Sequence, residues 1–397
     1  TVSLASTASI SDNNLGANNI TAASLTASAA SGIDLDVTIT TLTSAVVSAA
    51  GNIDISDLAG GLVVTSATTN DGNILLNATG GDLTLTSVTA GGTGDIRATT
   101  TTSGNVLLVS VTASGDDVRI SSAAAVVDGD IVDDNDITAT NLSISAVSGV
   151  GSATAIDTTV TNLEVFNSTS GDVNITNTGA LTIAAVGPLF GDAISGATNN
   201  GGNLTIIALS PLTVAAAVSA SGVVTLTATD SGVGDDLIIN ATVTSTGNNI
   251  VLNAGDNAAI NASLFATAAT RTITINIDTG AAVDAAGGVL TIIGADLDAT
   301  TAFFNGNVND DSFGTLLNPL TPDDDTPFVI DGDQPHGTPT GDKLFLAIPL
   351  TGTTLTVTDF GSGVFGFGAS PASVTYTSIE ELNVTGGTYD LTIDLNA

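Results

Sequence analysis

Gly51-Asn52-Ile53-Asp54-Ile55, answered by Gly72-Asn73-Ile74-Leu75-Leu76, decides how the whole chain reads. In each, a glycine corner is followed within three residues by a branched aliphatic that opens an alternating run. The same unit recurs as Gly32-Ile33-Asp34-Leu35, Gly94-Asp95-Ile96-Arg97 and Gly115-Asp116-Asp117-Val118-Arg119-Ile120. The intervals between these glycines are 19, 21, 22 and 21 residues. A period near 21 residues, built of short strands and Gly/Asn/Asp corners, marks a β-solenoid. Within a unit, Ile53/Ile55 and Leu83/Leu85 recur at every second position, so the aliphatics share one face and Asp and Thr take the other. Stacked in parallel at ~4.8 Å, such turns use every backbone donor and acceptor except at the ends of the stack.

Composition agrees. The chain has 397 residues, of which 43% are hydrophobic and only 3% aromatic. Small, β-branched and hydroxylated residues dominate, which suits strands and disfavours helices. The expected fold is therefore all-β: a parallel β-helix with rungs of about 21 residues. Lys and Arg number 4 against 40 Asp and Glu, for a net charge of −36. Nucleic-acid binders need clustered cations, so that class is excluded, and anionic membrane surfaces are disfavoured. No apolar run approaches the ~20 residues of a membrane span. Cys and Met are absent; stability must come from repeated burial and ladders rather than disulfides. The start at Thr1 without Met predicts a processed, secreted chain whose signal peptide has been removed, placed outside the cell or on its surface.

Residues 1–31 alternate without the glycine register and read as an N-terminal cap or irregular first rungs. Residues 32–300 read as the solenoid. One interruption is expected near 126–170, where Asp128-Gly129-Asp130-Ile131-Val132-Asp133-Asp134-Asn135-Asp136 suggests an acidic loop projecting from the stack. The register returns at Gly171-Asp172-Val173 and continues through Gly202, Gly222, Gly247 and Gly288. Residues 301–397 hold 8 of the 11 Phe, 7 of the 9 Pro and both Tyr. They read as an aromatic- and Pro-richer C-terminal β module or a widened end of the solenoid.

Repeats of the form Gly-[Asn/Asp]-aliphatic-x-aliphatic with Ala/Thr/Ser corners resemble those of bacterial extracellular surface proteins. Filamentous-haemagglutinin-type adhesins and the large β-strand-repeat proteins of planctomycetes are similar. The segment from Ile330-Asp331-Gly332-Asp333 through Gly341-Asp342-Lys343-Leu344 to Ile379-Glu380-Glu381-Leu382-Asn383 is similar to a unit of the latter. The resemblance implies a right-handed parallel β-helix on the cell surface or in the extracellular matrix. The Asn-Pro-Asn-Gly secretion motif of two-partner-secreted haemagglutinins is missing.

Ca²⁺ takes six to eight oxygens, and closely spaced Asp and Asn in Gly-bearing turns supply several at once. The candidate metal ligands are Asp128, Asp130, Asp133, Asp134 and Asp136; Asn307, Asn309, Asp310 and Asp311, with Asn305 beside them; Asp323 to Asp325; and Asp331 with Asp333. None has EF-hand spacing, and a solvated loop tip is the competing reading of each. A structural calcium ion is the only cofactor expected. The lone His336 is too little for a zinc site. No catalytic residues emerge. A polysaccharide lyase needs cations that Arg97, Arg119, Arg271 and Lys343 are too scattered to supply, and a hydrolase needs paired carboxylates in one groove.

A non-enzymatic structural role follows: an acidic solenoid subunit of a cell-surface filament, sheath or matrix layer. Its partner is itself, a head-to-tail homopolymer joined by strand addition, with Tyr389-Asp390-Leu391-Thr392-Ile393-Asp394-Leu395 a ready edge strand. The alternative is an adhesin stalk that binds an extracellular polysaccharide or another cell; a carbohydrate-active enzyme ranks behind both.

Overall fold

The computed structural model describes residues 1–130, 132, 134–191, 193–209, 211–229, 236–280, 287–307, 310–316, 326–332, 341–347, 354–359, 361–366, 373–386 and 389–394. The regular structure is nearly all β, with 57% of residues in strands, and forms a parallel β-solenoid of about 13 turns. By contacts it divides into two units, one of residues 1–178 and 184–202, the other of 179–183 and 203–397.

The first unit stacks three faces. On the first face, Ile33 pairs with Ile53, Ile53 with Ile74, Ile74 with Ile96, Ile96 with Val118, Val118 with Leu142 and Leu142 with Leu163. On the second, Leu62–Val64 pairs with Leu83–Leu85, then Val106–Leu108, then Val126–Asp128, followed by Val150 and Val173. On the third, Ala67–Thr69 pairs with Val88–Ala90, Val88 with Val111 and Val111 with Ile137. Most of the short strands show the alternation read from their sequence, whereas Asn162–Asn167 buries Leu163, Glu164 and Val165 in succession. In Ile53–Asp57 and Ile74–Ala78 every second residue is buried. Apolar side chains of like size therefore sit above one another, and each turn covers the core of the last. Within residues 1–31 the rungs are irregular, with a register shift at Leu25 and Thr26. Val2–Ala5 pairs in parallel with Leu25 to Ser28, and Ile20–Ala29 pairs with Val37 to Val47.

The corner glycines are dictated by close approach. A Cβ at Gly51, Gly72 or Gly94 would run into the backbone carbonyl of Ser31, Gly51 or Gly72 in the adjacent turn. A second corner has its own series at Gly61, Gly81, Gly104, Gly149 and Gly171, which precede the strands of the second face. This second series narrows the reading of 126–170. Val126–Asp128, Ile137–Ala146, Ile156–Thr159 and Asn162–Asn167 all lie in the parallel ladders, and the interruption shrinks to the acidic run: residues 129–136 separate the strands of the second and third faces, where the preceding turn has only Val109 and Ser110. The series that starts at Gly32 and the one that reaches Gly171 belong to different corners, so the interval between them is no whole number of turns. A second excursion follows. Residues 184–191 and 193–196 lie between Leu181–Ile183 and Ala197–Asn199, and the Gly196 N–H donates to the Ala184 carbonyl at 2.8 Å. Within this excursion Phe190, at φ 52, places its ring 5.7 Å from the Arg97 guanidinium.

In the second unit, Leu204–Ala208 heads a ladder through Val224–Ala228, Ile250–Ala254, Thr272–Asn276, Thr301–Asn305, Phe328–Asp331 and Val374–Thr377. A second ladder runs from Leu181–Ile183 through Leu212–Val214, Leu237–Ile239, Ala258–Ile260, Val289–Ile292, Ser312–Leu316 and Lys343–Ala347 to Glu381–Gly386. Residue 300 is thus no break in either ladder. What stops there is the third face, whose last described pair is Leu264–Ala266 with Leu297–Asp298. Beyond it the core takes larger side chains: Phe304, Phe313, Phe328, Phe365 and Tyr376 are buried, with Phe304 and Phe328 stacked at 5.5 Å.

The last strands reverse direction. Tyr389–Asp394 folds back antiparallel on Glu381–Gly386, and Ser362–Gly366 pairs antiparallel with both Thr354–Asp359 and Val374–Thr377. The strand expected to stand ready as a free edge therefore has one edge already occupied.

Candidate functional site

The strongest local electrostatics lie at one corner of the second unit. Val289, Ser312, Lys343 and Glu381 are register partners on successive turns, so the residues just before them, Gly288, Asp311, Asp342 and Glu380, also stack. Each acid turns its carboxylate toward the preceding turn. Asp311 Oδ1 accepts the Gly288 N–H at 2.7 Å and its Oδ2 accepts the Asn307 N–H at 3.0 Å. Asp342 Oδ1 accepts the Asp311 N–H at 2.6 Å, and Glu380 Oε2 accepts the Asp342 N–H at 2.7 Å. All three acids are buried. Glycines make the room: a Cβ at Gly332 would press on the Asp342 carboxylate, and one at Gly341 on Glu380.

Burial penalises a charged carboxylate, while N–H donors favour it. Here burial wins. It pushes Asp311 up to about 7 against the pull of its two N–H donors, with Asp278 and Asp310 adding like charge. Asp342 is pushed up to about 8, again chiefly by burial, with Asp311, Glu380 and Asp310 adding like charge. Asp311 and Asp342 thus favour their protonated forms far more than an exposed carboxylate does. Lys343 lies beside the ladder but directs its Nζ to Glu381 Oε2 at 3.4 Å.

The candidate calcium ligands separate into different environments. Asp136 is buried, its Oδ2 accepts the Asp157 N–H at 2.9 Å, and burial pushes it up to about 7, with Asp128, Asp157 and Asp130 adding like charge. It is a single-turn counterpart of the ladder rather than a loop-tip ligand. Asp311 is likewise committed to backbone donors. Asp128 and Asp130 form successive turns, in which Asp128 Oδ1 accepts the Asp130 N–H at 3.1 Å and Asp130 Oδ1 the Val132 N–H at 2.8 Å. Asp134 and Asp331 are exposed, and Asp310 and Asn307 are half-buried. Asp133, Asn309, Asp323 to Asp325, Asp333 and His336 lie outside the described residues. Among the described residues, no three or more His, Asp or Glu side chains are placed to hold a metal ion.

The chain matches no family model, no curated protein and no solved structure. Its chemistry has to be read from its own residues. Asp342 and Glu380 are absent from the candidates taken from the sequence. Their signal was an acid standing immediately before an aliphatic strand, as in Gly341-Asp342-Lys343-Leu344 and Glu380-Glu381-Leu382. The spacings from Asp311 to Asp342 and on to Glu380, 31 and 38 residues, exceed the turn period and hid the stacking. No helix among the described residues is long and apolar enough to cross a membrane.

Proposed function

We propose that the chain is a structural extracellular protein: an acidic β-solenoid that serves as a subunit of a cell-surface filament, sheath or matrix layer. One observation carries this reading. Among the described residues the strands are committed to turn-on-turn pairing, which makes a scaffold, with Ala, Val, Ile and Leu filling most of the interior. Assembly is proposed to run head-to-tail between copies, through the edge of Tyr389–Asp394 that faces away from Glu381–Gly386. Deleting residues 389–397 should then abolish filaments seen by negative-stain imaging of the purified chain. Filaments of ordinary length from that truncation would overturn strand addition at this edge.

Calcium is proposed as a structural ion that screens a chain of net charge −36, with Asp134 and Asp331 the exposed donors among the described candidates. Chelation should lower the melting temperature by several degrees and calcium should restore it. A melt indifferent to both would leave these residues as solvated corners.

A further inference from the structure

The first unit has a polar cleft of about 320 Å³ at the corner before its first face, lined by Ser9, Ser11, Ser31, Asn52, Asp34 and Asp54 over Ile10 and Ile33. That volume sits at the low end of the ~300–1,000 Å³ of ligand pockets and suits one sugar ring better than a larger group. Asp34 and Asp54 are register partners, so their carboxylates leave the same outer face one strand spacing apart. The walls are fixed by ladder bonds. The Ile10 N–H donates to the Gly32 carbonyl, the Asp34 N–H to the Ile10 carbonyl and the Ile33 N–H to the Asn52 carbonyl, each at 2.9 Å. Asn52 Oδ1 is occupied by the Asn73 N–H at 2.9 Å, which aligns the side-chain amide along the corner. Ser11 donates to Ser9 Oγ at 3.2 Å, setting two hydroxyls side by side on the opposite rim.

Two carboxylates offer acceptors, three serines offer both donor and acceptor, and the Asn52 amide offers donors. Such a set recognises hydroxyl groups. The acidic lining, on a chain of net charge −36, repels anionic ligands. Calcium fits less well, because among the described residues no three acidic side chains converge here or elsewhere. Burial and then the neighbouring Asp34 raise Asp54, with Arg97 opposing. From this geometry we infer that the cleft formed by Ser9, Ser11, Ser31, Asn52, Asp34 and Asp54 binds one ring of a neutral polysaccharide. The inference stands whether or not the chain polymerises.

The test is isothermal titration of the full chain with cellohexaose, xylohexaose and mannohexaose in buffer containing a chelator. Saturable binding of at least one is expected. The pair Asp34→Asn and Asp54→Asn should weaken it at least tenfold with the melting temperature unchanged. If that variant does not fold, Ser9→Ala with Ser11→Ala on the rim should produce the same loss. Failure of all three sugars to bind overturns the inference, as does binding that either folded variant leaves intact. Binding of calcium alone at the cleft, lost in the aspartate variant, overturns it in favour of a metal site.

Discussion

Raising the pH from about 5 to about 9 is expected to lower the melting temperature steeply, and Asp342→Asn is expected to remove much of that slope. Asp311 at about 7 and Asp342 at about 8 hold protons in the folded chain that the unfolded chain, at 3.8, has already released. Stability from these groups is therefore fully present below about pH 4 and is lost as the pH rises through 7 to 8. Each unit of displacement corresponds to about 1.4 kcal/mol, so ionising both acids in their buried corner costs on the order of several kcal/mol. An amide at position 342 keeps an oxygen to accept the Asp311 N–H and cannot ionise. At pH 9 the variant should melt higher than the parent, and at pH 5 the two should melt close together. A leucine there would instead strand the Asp311 N–H, at a cost of about 1–3 kcal/mol at either pH. Parallel melting curves for parent and amide variant across the range would refute the ladder as the source of the pH dependence.

Gly104→Ala should be the most damaging of the corner substitutions, costing roughly 3 kcal/mol or more. Gly104 sits at φ +103, where side chains are strained, and its Cβ would collide with the Gly81 carbonyl of the adjacent turn. Its own carbonyl accepts the Thr100 hydroxyl at 2.9 Å and the Ser122 hydroxyl at 3.2 Å, so a shift disturbs three turns. Gly60→Ala is the control. Gly60 is at φ +91, but a Cβ there meets nothing within 4 Å. It should cost only the conformational penalty, about 1 kcal/mol. The difference between the two melting points isolates the steric contribution of turn-on-turn contact. Equal losses would mean that backbone conformation alone explains the corner glycines.

The fold was legible because its two signals are local and repeated. Ile53/Ile55 announces a strand with one buried face, and Gly51 and Gly72 announce corners too tight for a Cβ. The sequence misled where two corners use the same residue. Gly115 and Gly171 look like beats of one series, yet Gly171 follows on from Gly104 and Gly149 on another corner. The acidic run from Asp128 to Asp136 does lengthen one corner, but the missed beat stretches it to 170 in the sequence reading, and Asp136 at its end is a buried corner acid whose carboxylate accepts the Asp157 N–H. The carboxylate ladder was hidden for a related reason. Exposed and buried aspartates look alike in a chain with 40 acidic residues, and only register separates Asp311 and Asp342 from Asp310. The cleft at Asp34 and Asp54 depends on the fold of residues 6–19 over the first corner, which no periodicity announces.

The unshifted register around residues 74–95 has a consequence for how such a gene can change. Residues 74–95 form a complete turn, with Ile74–Ala78, Leu83–Leu85 and Val88–Ala90 each paired above and below. Excising them would set Ile96–Thr100 on Ile53–Asp57 and Val106–Leu108 on Leu62–Val64, aliphatic on aliphatic, without a change of phase. Duplicating them would do the reverse. Tandem recombination in whole-turn steps is therefore nearly neutral for this core, whereas a single-codon insertion within a strand turns its apolar face outward. Length is the trait that such a lineage can vary most freely.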